Sequence, residues 1–161
     1  MYGIVAWYTS PLSSQSARRL LAALEAGGLK VVNPSTGRAT SLDQEGEQVD
    51  IAPTDLEVAL ASPSQSLTFQ LWLDGSTDVV CRSRPLKSLV HHTFSLDGLT
   101  AEEAEVVIAL VSGQVAAPGI ETLALLVDRT SSWEDVNYDK IVLSKIPRKR
   151  NLPSTLLIRG G

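Results

Sequence analysis

Cysteine, histidine and long apolar runs are what this chain mostly lacks: it has one cysteine and two histidines in 161 residues. A single thiol, Cys81, forms no internal disulfide, and the opening segment "MYGIVAWYTSPLSS" has neither a basic n-region nor the apolar run of a secretion signal. These two absences point to a reducing cytoplasm. One Cys and two His also fall short of the four nitrogen or sulfur ligands of a structural zinc site, so neither a metal nor a cofactor is expected. The longest apolar runs, "AEVVIALV" and "TLALLV", are far below the roughly 20 residues that cross a bilayer. No membrane span is expected.

Basic charge is missing from the body of the chain. Before Lys140 there are 18 acids and 8 lysines or arginines, whereas from Lys140 onward there are 6 basic residues and no acid. A broad nucleic-acid face needs clustered Lys and Arg, so the acidic body argues against one. The short "KIPRKRN" run, Lys145 to Asn151, reads as a solvated tail or as a partner for the acidic body. Catalytic signatures are absent too. There is no G-x-S-x-G elbow, P-loop or G-x-G-x-x-G, and no spacing singles out a pair of carboxylates. The chain is therefore expected not to be an enzyme.

What remains is a patterned globular sequence, 43% apolar and 20% charged, long enough to bury roughly 70% of its unfolded surface in one domain. "GIVAWYTS" has apolar residues on both faces and predicts a central strand. "PLSSQSARRLLAALEAGGL" predicts a helix capped by Ser13 or Ser14, with Ala17, Leu20, Leu21 and Leu24 on one face and Gly27-Gly28 at its end. A short strand is expected over Lys30 to Val32. The acidic stretch that follows reads as two edge-like strands, the first around Val49 and Ile51 and the second through Leu56, Val58 and Leu60.

"SLTFQLWLDGSTDVVCRSR" predicts a hairpin turning at Asp74-Gly75, with Leu67, Phe69 and Leu71 on one face and Thr68, Gln70 and Trp72 on the other. "SLVHHTFSL" predicts a third strand of that meander. Adjacent strand residues point to opposite faces, so His91 and His92 are not a chelating pair; His92 reads as a hydrogen-bonded or semi-buried histidine and His91 as exposed. Thr100 and Glu103 form a capping box for a helix that reaches about Ser112. A strand from Glu121 to Asp128 and another at "KIVLSKI" complete the reading. The expected fold class is α+β, a single mainly antiparallel sheet with two helices packed on one face, in the order strand, helix, strands, helix, strand. It spans residues 1–146, and residues 147–161 are a basic C-terminal segment punctuated by Pro and Gly.

Two readings of function follow. The loop "DRTSSWEDVNYD" places Trp133 and Tyr138 among Glu134, Asp135 and Asp139, an aromatic anchor pair ringed by acids that suits a basic protein partner. Together with the six acids between Leu42 and Ala61, it makes a protein-binding module the leading expectation. In style this resembles bacterial immunity proteins, small acidic α+β inhibitors that mask a toxin's basic active site. The alternative rests on "STLLIRGG", which is similar to the C-terminus of ubiquitin and its relatives. That resemblance implies a modifier joined to an amine through Arg159, Gly160 and Gly161.

Overall fold

The computed structural model describes residues 3–62, 64–129 and 138–145, and the backbone of 157–159. Its elements run β1 (Ile4–Thr9), α1 (Ser14–Ala26), β2 (Thr40–Leu42), β3 (Gln48–Asp50), α2 (Pro53–Leu60), β4 (Leu67–Trp72), β5 (Asp78–Leu86), β6 (Leu89–Ser95), α3 (Ala101–Gly113), β7 (Thr122–Asp128), α4 (Tyr138–Lys145) and β8 (Leu157–Arg159). The strands form one sheet in the order β3-β2-β4-β5-β6-β1-β7-β8, antiparallel throughout except for the parallel pair β7 and β8. The α+β class and the mainly antiparallel sheet are as the sequence predicts.

One sheet face is built from Val5, Trp7, Phe69, Leu71, Val79, Cys81, Phe94, Leu125 and Val127, and three helices cover it. α1 contributes Leu20, Leu21 and Leu24, α2 contributes Leu56 and Leu60, and α3 contributes Val107, Ile108 and Val111. The caps expected at Ser13 and Thr100 form. Ser13 Oγ accepts from the Ser16 amide at 3.1 Å, and the Thr100 and Glu103 side chains bond each other's backbone N–H at 3.2 and 2.7 Å. On the other face Ala6, Tyr8, Leu89, Ala124 and Leu126 form a smaller cluster, covered by Val142, Leu143 and Tyr138 of α4.

Among the described residues four helices, two more than expected, therefore pack on both faces. α2 replaces a predicted strand because Leu56 and Leu60 satisfy the i, i+4 spacing of a helix as well as the alternation of a strand; Pro53, fixed in φ and lacking an N–H, starts the helix. α4 replaces the strand predicted at "KIVLSKI", where the β-branched Ile141-Val142 pair misled: packing of Tyr138 and Val142, four apart, against the sheet overrides that propensity. The strand expected at Lys30 to Val32 reduces to one bridge between Lys30 and Trp72. The expected edge strand around Val49 is β3, and the strand expected from Glu121 to Asp128 is β7, flanked by β1 and β8.

Candidate functional site

His92 is 3% exposed and lines a small cavity with Leu20, Leu21 and Leu24 of α1 and Leu60 of α2. Thr9 Oγ1 donates to the Ser10 carbonyl at 2.8 Å, so it accepts from His92 Nε2–H at 3.0 Å; Nδ1 is left to accept from the Ser83 hydroxyl at 2.7 Å. Burial, and then His91, push His92 down to about 3, so the ring is neutral. Trp7 Nε1–H donates to Thr122 Oγ1 nearby, and that hydroxyl donates to the Val115 carbonyl. A serine hydroxyl beside a histidine suggests nucleophilic chemistry, but the adjoining cavity of about 10 Å³ has room for no more than one water. The network satisfies buried polar groups and admits no substrate. Cys81 is equally sealed, and burial followed by Asp78 raises its thiol well above the usual value.

His91 faces the opposite side of the sheet. Expected to be exposed, it is 9% exposed, because the ring of Tyr8 stacks on it at 4.3 Å and 5°. Arg84 Nη2 donates to His91 Nδ1 at 2.7 Å, and an arginine has only donors, so Nδ1 carries no proton and Nε2 does. That Nε2–H is buried without a partner among the described residues. Burial and the Arg84 charge push His91 down to about 4, against the opposing pull of Asp139.

The same arginine donates to Asp139 Oδ2, while the Tyr8 hydroxyl donates to Oδ1 at 2.7 Å. Burial alone would raise the Asp139 carboxyl, but the hydrogen bonds from Arg84 and Tyr8 and the adjacent positive charge hold it below the ordinary carboxylate value. Burial and then Asp139 raise the Tyr8 phenol. Four side chains from β1, β5, β6 and α4 thus form one cluster that ties the short helix α4 to the sheet. An open cleft of about 490 Å³ adjoins it, lined by Lys87, Asp139, Lys140, Leu143 and Ser144.

At the far end of the sheet, β2 and β3 form a hairpin that begins an acidic surface. Asp43, Glu45, Glu47, Asp50, Asp55 and Glu57 lie within fifteen consecutive positions without an intervening base. Arg38 pairs with Asp50 and Arg18 with Glu57. Among the described residues Asp43, Glu45, Glu47 and Asp55 make no ion pair, and all four are exposed. Two valines stand out among them, Val49 at 47% and Val58 at 61% exposure. A cleft of about 630 Å³ adjoins the hairpin, lined by Asp43, Gln44, Gln65, Ser66, Thr68 and Arg82.

Of the residues predicted as partner contacts, Trp133, Glu134 and Asp135 lie outside the described residues, as do Gly160 and Gly161. Tyr138 is partly buried against the α4 cluster, and Asp139 is engaged by Tyr8 and Arg84. Arg159 lies on β8, its backbone paired with Val127. Arg84 and Tyr8 were not singled out in the sequence. The two-residue turn at Lys87-Ser88 does imply that Arg84 faces His91 across the hairpin, whereas the pairing of Tyr8 with His91 depends on a long-range register. Trp72 is 8% exposed and so is covered. Among the described residues no group of three or more His, Cys, Asp or Glu is placed to hold a metal, and no helix is long and apolar enough to cross a membrane. Comparison of the chain with protein-family models, curated proteins and solved structures finds no match.

Proposed function

We propose that this chain is a non-catalytic protein-binding module whose acidic surface receives a basic partner, in the manner of an immunity-type inhibitor. The observation that supports this reading is the acidity of the stretch from β2 to α2: four exposed carboxylates without ion pairs among the described residues, with Val49 and Val58 exposed in the same stretch of chain. Uncompensated charge of one sign raises the rate of encounter with an opposite surface, and exposed apolar groups within it supply the contact that slows release. The segment of the sequence bearing Trp133, Glu134 and Asp135 is the second proposed contact. Asp139 contributes there through its field, because its oxygens already accept from Tyr8 and Arg84.

The test is capture by tagged protein from its own cells, with mass spectrometry of what is held. Three forms are compared: the parent chain, Glu45→Lys/Glu47→Lys/Asp55→Lys, and Trp133→Ala/Glu134→Lys/Asp135→Lys. A basic protein held by the parent in low salt and lost from a charge-reversed form is the expected result. Equal capture by all three forms would contradict the reading. Adducts that survive denaturant and disappear when Gly160 and Gly161 are deleted would favour the modifier instead.

A further inference from the structure

Among the described residues β3 is the last strand at its edge of the sheet, and its three residues are exposed. The direction of its backbone groups follows from the hairpin. The Asp43 amide donates to the Glu47 carbonyl at 3.0 Å and the Ile51 amide to the Ala39 carbonyl at 3.0 Å. In an antiparallel pair hydrogen-bonded positions alternate with non-bonded ones, so Ser41 and Val49 form the bonded pair between them. Gln48 and Asp50, opposite Leu42 and Thr40, therefore turn their N–H and C=O groups away from β2. These two residues present four backbone groups along the open edge, in the spacing that an incoming strand needs.

An open edge invites any extended chain, and proteins usually block it. Here the block is selective. Asp50 is paired with Arg38, but a second β3 laid against this one would bring the flanking Glu45 and Glu47 of both copies, which make no ion pair among the described residues, toward each other, and like charges across strands repel. A basic strand meets no such barrier. Its side chains alternate as those of β3 do, Gln48 and Asp50 on one face and the half-exposed Val49 on the other. We infer that the β3 edge takes up an extended basic segment of a partner protein as an added strand, its basic residues beside Glu45 and Glu47 and its apolar residues beside Val49. This rests on the acidic-module reading and adds the mode of recognition: backbone pairing supplies adhesion, and charge decides which strand is admitted.

The experiment uses the full chain and a fluorescent peptide of alternating lysine and valine, followed by anisotropy at low ionic strength. The comparison is with the same peptide N-methylated at alternate residues, which keeps every charge but cannot donate to the edge. N-methylation is expected to weaken binding by more than about tenfold, as the loss of two backbone hydrogen bonds requires. In the protein, Gln48→Pro removes an outward N–H without touching the β2 ladder and is expected to weaken the plain peptide about tenfold, whereas Gln48→Ala stays within about twofold. Equal binding of the plain and N-methylated peptides to the unaltered protein would overturn the added strand while leaving an acidic surface that attracts basic chains. Failure of both peptides to bind would overturn that reading as well.

Discussion

Lowering the pH from about 7 to about 4.5 is expected to remove much of this protein's stability through two histidines. An unfolded histidine takes up its proton near 6.5, whereas the fold holds His91 neutral until about 4 and His92 until about 3. Both folded values are depressed, so the contribution is fully present above pH 6.5 and is lost as the pH falls toward 4 and then 3. At pH about 4.5 the unfolded chain has both protons and the folded chain has few. Unfolding then gains roughly 2–3 kcal/mol per histidine, or about 5 kcal/mol for the pair. That is a large share of the roughly 5–15 kcal/mol that stabilises a domain of this size.

The assay is urea unfolding by circular dichroism in closely spaced pH steps, whose slope gives the protons taken up on unfolding. The uptake near pH 5.3 is expected to be about two, falling to about one in His92→Gln. That variant keeps hydrogen-bonding groups for Ser83 and Thr9 but does not titrate. An uptake near zero in the parent chain would refute the burial and tautomer assignments together.

Two glycines should respond with opposite sign. Gly3 has φ +153°, and a Cβ there would lie 2.2 Å from the Asp128 carbonyl oxygen, so Gly3→Ala is expected to cost more than about 2 kcal/mol in thermal unfolding. Gly113 ends α3 with open space where a Cβ would sit, and Gly113→Ala is expected to add about 0.5–1 kcal/mol. Asp139→Asn leaves Arg84 without its anion and weakens the acceptor for Tyr8. With both ion-pair side chains about a quarter exposed, the expected loss is about 1–3 kcal/mol. Hydrogen exchange should quicken in α4 ahead of β1 and β6; uniform change across the sheet would contradict the anchoring role.

The parts of the fold that were legible in the sequence are those where local chemistry and tertiary packing agree. The Thr100-Glu103 capping box, the Asp74-Gly75 hairpin and the doubly apolar β1 and β7 each announce themselves within a few residues. α2 and α4 did not, because an eight-residue helix offers only two turns of periodicity, and its apolar residues also fit a strand. The exposure of His91 was misjudged for a related reason. Its cover comes from Tyr8, more than eighty positions away, and from a helix on the face that was expected to be open. The acidic run was plain as composition, but its position on the last strand of an eight-stranded sheet was not, since strand order depends on long-range pairing.

The most direct measurement of the central claim is amide chemical-shift mapping of the labelled protein during titration with the alternating lysine-valine peptide. The account predicts that the largest changes fall on Glu45 to Asp50, strongest at Gln48 and Asp50, and fade as salt is added. Changes confined to Tyr138–Lys145 and the cleft beside Asp139, or no changes at all, would contradict it.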